Sequence, residues 1–91
     1  IVICVFDKDK IKEYVKILNK LRASNISSEI FPGEGKLRKQ MEYANKISSP
    51  AVILYGDNEI KSGNITLRNL ETGNETSIKI DNLANEIKKL F

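Results

Sequence analysis

The sequence predicts an α/β fold: a three-layer α/β/α domain built on a mixed five-stranded sheet. Three observations lead there. Two runs, IVICVF at 1–6 and AVILY at 51–55, are continuously apolar and rich in β-branched residues, as strands covered on both faces require. Two segments between and around them space their apolar residues by three and four, the helical period. Two later segments, 64–69 and 76–80, alternate apolar with polar residues, the period of a half-buried strand.

Taken in order, 1–6 is the first strand. Asp7 or Asp9 then N-caps a helix over Lys10–Ala23, whose apolar stripe is Ile11, Tyr14, Val15, Leu18 and Leu21. SNISSEIF turns extended, giving a strand at 27–31 with Ile30 and Phe31. PGEG, 32–35, is a turn. A second helix, Lys36–Ile47, carries Leu37, Met41, Ala44 and Ile47 as its stripe and stops at Ser48-Ser49-Pro50. The strand 51–55 follows, then a polar connection from Gly56 to Gly63 with a helical turn at Asn58–Lys61. In 64–69, Ile65 and Leu67 point inward. In 76–80, Ile78 and Ile80 do so. Glu71-Thr72-Gly73-Asn74 joins the two strands as a hairpin turn. A last helix, 82–90, carries Leu83, Ile87 and Leu90, with Asp81 as its N-cap. Strands that alternate with helices pair in parallel through right-handed crossovers, and the hairpin adds one antiparallel member.

Size and composition bound the function. Ninety-one residues make one small domain with one core. Apolar residues are 41% and charged residues 30% of the chain, ordinary for a globular domain. No apolar run approaches the ~20 residues that span a bilayer, so no membrane partner is expected. IVICVF lacks the basic flank and the length of a signal peptide. The net charge of +3 permits nucleic-acid contact without requiring it. With no His and one Cys, neither a zinc site nor an internal disulfide is expected, which fits a reducing, cytoplasmic compartment. A chain that starts at Ile and opens directly on a strand reads as a C-terminal piece of a longer protein.

Catalytic groupings are thin. PGEGK, 32–36, places glycines and Lys36 before a helix, but Leu37 stands where a phosphate loop needs Ser or Thr. Asp57 and Glu59 have no third ligand and no basic partner. Lys36, Arg38, Lys39 and Lys46 make the second helix basic, and Gln40, Tyr43 and Asn45 add groups suited to base edges and stacking. The residues alone therefore indicate a small α/β module that binds a ligand or RNA and does no catalysis. A flavodoxin-like domain is disfavoured, since Phe6-Asp7-Lys8-Asp9 after the first strand has no glycine and two acids.

KLRKQMEYANKI followed by SSPAVILYGDNEIKSGNITLRNLETGNE resembles the C-terminal anticodon-binding domain of class II aminoacyl-tRNA synthetases. The matching positions after the third strand are Gly56, Asp57, Glu59, Gly63, Ile65, Leu67 and Arg68. On the second helix, Lys36, Leu37, Gln40, Tyr43, Ala44, Asn45 and Lys46 match the histidine branch, as does Leu70-Glu71-Thr72-Gly73. Ser48-Ser49-Pro50 replaces the Gly-Ile-Pro common before the third strand, a loop change only.

The resemblance implies a strand order of 2-1-3-4-5 with strand 4 antiparallel. It implies that residues 1–91 are an anticodon-binding domain whose parent activates histidine with ATP and Mg²⁺ and transfers it to tRNA(His). The catalytic domain lies elsewhere, so no catalytic residue, metal or cofactor is expected here. It further implies a homodimeric parent, with this piece alone monomeric. On this reading Gln40, Tyr43, Asn45, Gly56, Asp57, Glu59 and Lys61 face the anticodon bases. Lys8, Lys36, Arg38, Lys39 and Arg68 contact phosphates. A non-catalytic regulatory or accessory relative of these enzymes carries the same domain and is the alternative.

Overall fold

The computed structural model describes residues 1–33 and 35–90; Glu34 of the expected PGEG turn and the terminal Phe91 lie outside the described residues. Five strands form one sheet: β1 (Val2–Cys4), β2 (Glu29–Ile30), β3 (Ala51–Leu54), β4 (Asn64–Asn69) and β5 (Glu75–Lys79). Four α-helices accompany them: α1 (Ile11–Ala23), α2 (Leu37–Lys46), α3 (Asp57–Ser62) and α4 (Leu83–Leu90). The sheet order is β2-β1-β3-β4-β5. β1 is parallel to β2 and β3, and β4 is antiparallel to both of its neighbours. Order and directions match the expectation.

The two apolar runs are continuous because each serves two cores. Ile3, Ala51 and Ile53 face one side, against Tyr14, Ile17 and Leu21 of α1 and Leu83 and Ile87 of α4. Val2, Cys4, Val52 and Leu54 face the other, against Ala44 of α2 and Phe31, with Leu37, Met41 and Tyr43 packed on. Ile65, Leu67 and Ile78 extend the first core along the hairpin. The opposite face of the hairpin carries Thr66, Arg68, Glu75 and Ser77; on β5, only Ile78 is buried.

Several boundaries differ from the sequence expectation. The first strand ends at Cys4, where its register with Leu54 ends, so Phe6 leaves the sheet. In α1 the buried residues are Tyr14, Ile17 and Leu21, while Ile11 and Val15 are 44% and 38% exposed. Apolar residues at 11, 14, 15, 17, 18 and 21 define a broad face, and the buried hydroxyl contacts of Tyr14 fix its centre. Ile47 also falls outside the core, as the C-cap of α2. Asp81 sits inside a 3-10 turn over Ile80–Asn82 rather than at the cap of α4, and it pairs with Lys20 at 3.6 Å.

Helix ends follow residue chemistry. Asn25 and Ser48 take left-handed φ values of 62° and 60°. After α1, Ile26 N–H donates to Leu21 O at 3.0 Å and Asn25 N–H to Arg22 O at 3.0 Å. After α2, Ser49 N–H donates to Ala44 O at 2.9 Å and Ser48 N–H to Asn45 O at 3.1 Å. Both are Schellman closures, which satisfy the last carbonyls of a helix. Asn tolerates the left-handed region better than most residues.

Candidate nucleic-acid interface

Three loops meet at the carboxyl ends of the parallel strands. One follows β1, one follows β2 and one follows β3. The crevice outside the carboxyl ends of the strands is where open α/β sheets bind ligands.

The loop after β1 is held from both layers. From α1, the buried Tyr14 hydroxyl accepts from Phe6 N–H at 3.0 Å and from Asp7 N–H at 3.3 Å. From α2, Gln40 Oε1 accepts from Val5 N–H at 2.7 Å, while its Nε2 donates to Val5 O at 2.7 Å and to Gly35 O at 3.2 Å. Asp7 Oδ1 then accepts from Asp9 N–H at 2.9 Å and starts the 3-10 turn Lys8–Lys10, as an N-capping acid does. Lys10 Nζ reaches Asp57 Oδ1 at 3.6 Å, linking this loop to α3.

The loop after β3 is a capped turn. Glu59 Oε2 accepts from Gly56 N–H at 3.2 Å, the reciprocal half of a capping box. Gly63 closes α3 at φ 75°, donating to Glu59 O at 2.9 Å. Glycine fits there because a left-handed φ costs it nothing sterically.

These contacts revise three sequence expectations. Gln40 is 1% exposed and all three of its hydrogen bonds go to backbone; it offers no polar edge to a base. The Tyr43 hydroxyl donates to Glu29 Oε1 at 2.9 Å and its ring meets Phe31 edge-on at 5.4 Å. That hydrogen bond, with burial adding to it, raises its hydroxyl above the usual tyrosine pKa. Gln40 is spent on holding the β1 loop in place, the Tyr43 hydroxyl is engaged by Glu29, and Glu59 caps α3 while also lining the crevice beside Phe6.

The remaining residues divide into three groups. Lys8, Gly56 and Asp57 lie at the carboxyl edge, with Lys61 in the last turn of α3. Arg38, Asn45 and Arg68 line one open groove of about 390 Å³ between α2 and the hairpin, together with Leu37, Met41, Leu70 and Gly73. Arg38 Nε lies 3.5 Å from Glu42 and Arg68 Nη1 lies 3.4 Å from Glu75. Such solvent-exposed pairs are weak and readily exchanged for another anion. Lys36 and Lys39 are exposed at the start of α2. Gly35, at φ 150°, lets the backbone pass Lys39, where an added Cβ would come within 2.7 Å of Lys39 Cδ.

Two features escaped sequence reasoning. Gln40 lies three residues after Leu37 and four before Ala44, on the apolar stripe itself; that spacing was the available signal. Phe6 is 49% exposed beside Gly56; nothing in the apolar run marks it as different. Among the described residues, no three His, Cys, Asp or Glu side chains converge on a metal site, and no helix is long and apolar enough to cross a membrane.

The sequence pattern of the anticodon binding domain matches residues 1–90. The chain belongs to that family. It is 45% identical to a histidine–tRNA ligase of Pelagibacter ubique over 96 aligned positions, covering all of this chain and 21% of that protein. It is 36% identical to the histidine–tRNA ligase of Clostridium tetani over 80 positions, covering 88% of this chain and 18% of that one. The chain thus spans about a fifth of the length of these relatives. Among solved structures, apo histidyl-tRNA synthetase of S. aureus superposes with a TM-score of 0.82 at 27% identity, covering 93% of this chain and 22% of that one. Histidyl-tRNA synthetase of a Nostoc species shares the fold with a TM-score of 0.93 at 23% identity, covering 97% and 21%. The anticodon-binding domain therefore presents a carboxyl edge and a cationic groove, with two buried polar side chains holding the edge in place.

Proposed function

We propose that this domain binds the anticodon loop of tRNA(His) and serves a histidine–tRNA ligase. The observation that carries this reading is the 45% identity to such a ligase across the whole chain. The surface supports it. On this reading Lys8, Lys36, Arg38, Lys39 and Arg68 meet phosphates. Asn45, Asp57, Lys61 and the turn at Gly56 meet bases. Anticodon bases are unpaired, so side chains read their edges directly and no proton needs to move. Activation of histidine with ATP and Mg²⁺ belongs to the remainder of such a ligase, as does the main contact of a homodimer. The cytoplasm is the compartment in which this substrate is met.

The test is binding to an anticodon stem-loop carrying GUG, against one with a scrambled anticodon, at two salt concentrations. Tighter binding to GUG is expected. Equal, salt-sensitive binding to both would replace the reading with a generic RNA-binding domain of a non-catalytic, synthetase-like protein. Binding to neither would refute recognition by this domain acting alone.

A further inference from the structure

We propose that the pocket at the amino ends of the parallel strands is an internal docking site, which seats the apolar polypeptide that joins this domain to the rest of its ligase. The proposal rests on the reading of the chain as one domain of a histidine–tRNA ligase and names the face that the remainder of that ligase covers. The pocket has a volume of about 620 Å³, against about 390 Å³ for the groove beside α2. It opens at the end of the sheet away from the loops that follow β1, β2 and β3. Ile1, Ile26, Ile47, Pro50 and Ile87 form its apolar wall.

The occupant follows from length and from where the chain's ends lie. The chain covers 21% and 18% of the two ligases it resembles at 45% and 36% identity. Most of such a ligase lies outside residues 1–91 and joins them at one end or the other. Both ends open on this pocket. Ile1 lies in its wall, and so do Ile87 and Lys88 from the last turn of α4. The Ile1 nitrogen donates to Ser27 O at 2.9 Å. A peptide N–H makes that bond equally well, and it steers a residue joined there along the wall.

Surface chemistry selects an apolar segment. Ile47 ends the apolar stripe of α2, yet it is 46% exposed. Single exposed apolar side chains are common and need no explanation. Ile47 instead shares one hollow with Pro50, which is exposed, and with Ile1 and Ile26, which are half-buried. A contiguous apolar patch marks a place where another surface packs. Charge leaves the RNA backbone without a hold there. Arg22 and Lys88 against Glu29 leave one positive charge in the lining. The helices α1, α2 and α4 all end at this pocket, and a helix C-terminus carries roughly half a negative charge. Three such ends offset the one cation, so the mouth draws no phosphate and admits an uncharged segment freely.

The experiment compares hydroxyl-radical footprints of this chain and of the full-length ligase that contains it. In the chain alone, Ile47 and Pro50 should label readily. In the ligase their labelling should be lost, down to the level of the buried Ile53, at every protein concentration. Ile47→Ala in the ligase should speed protease release of the domain roughly 3- to 10-fold, the effect of withdrawing about half an isoleucine side chain from a packed contact. The same substitution should leave the melting of the chain alone nearly unchanged, as surface changes do. Full labelling of Ile47 and Pro50 in the ligase, or a release rate unchanged by Ile47→Ala, would overturn the proposal. Protection that fades on dilution would assign the pocket to a second subunit and overturn it as well. Protection in a ligase that shows no preference for the GUG stem-loop would uphold the docking site while refuting the anticodon-loop reading.

Discussion

Replacing Gln40 tests the fold and the interface together. Gln40→Met keeps nearly the same volume and removes the amide. It leaves the N–H and C=O of Val5 and the C=O of Gly35 without their partners. Gly35 is exposed and Val5 half-buried, so water recovers the first group and part of the others. An unsatisfied buried polar group costs about 1–3 kcal/mol; at the lower end for the two Val5 groups, the loss is about 2–3 kcal/mol. A domain of this kind has roughly 5–15 kcal/mol in total. With about 4–8 °C per kcal/mol for a chain of this size, the melting temperature should fall by roughly 10–20 °C. Gln40→Glu keeps the shape but turns an acceptor toward two carbonyls. Its burial raises the carboxyl pKa, so this variant should be the less stable of the two at pH 7 and should recover as pH falls and the acid regains a donor proton. Urea unfolding followed by circular dichroism reads both. A Gln40→Met variant within about 0.5 kcal/mol of the parent, the usual scatter of surface changes, would refute the assignment.

Arg38→Ala and Arg68→Ala should each weaken stem-loop binding and reduce the slope of log K against log salt by about 0.7 for each phosphate no longer neutralised; unchanged slopes would remove them from the phosphate set. Tyr43→Phe should lower stability slightly by deleting the hydrogen bond to Glu29. Because the folded-state pKa of Tyr43 is raised, its contribution is complete below the ordinary tyrosine pKa and is lost as pH rises through the folded value. The parent should therefore lose more stability than Tyr43→Phe on going from pH 9 to 11.5, as thermal melts at each pH will show. The Cys4 thiol is buried, and burial pushes its pKa up to about 12. Reaction with a disulfide reagent at pH 8 should track global unfolding in urea; rapid labelling of the native chain would contradict that burial.

Much of the architecture was written in periodicity. Continuous β-branched runs gave the central strands because each side chain there meets a core, whichever face it takes. Alternation gave β4 and β5. Ser48-Ser49-Pro50 marked a helix end through local backbone preferences. These are short-range effects, and a linear pattern holds them. The strand order came from family resemblance, since pairing partners far apart in the chain leave no periodic trace.

The site depends on proximity between distant segments, which no linear pattern records. Gln40 reads as a polar surface residue until the end of β1 is brought beside α2. Its amide then completes the hydrogen bonding of a strand that has no neighbour there. Phe6 reads as the end of a buried strand until the register stops at Cys4 and leaves its ring in the open. Arg38 and Arg68 come from a helix and a strand that meet only when the sheet forms. Local pattern was enough to set the elements and their apolar faces. Folding chose which polar side chains were spent inside and which were left to meet a ligand. Hydrogen-bond satisfaction is settled in three dimensions, one buried donor and acceptor at a time.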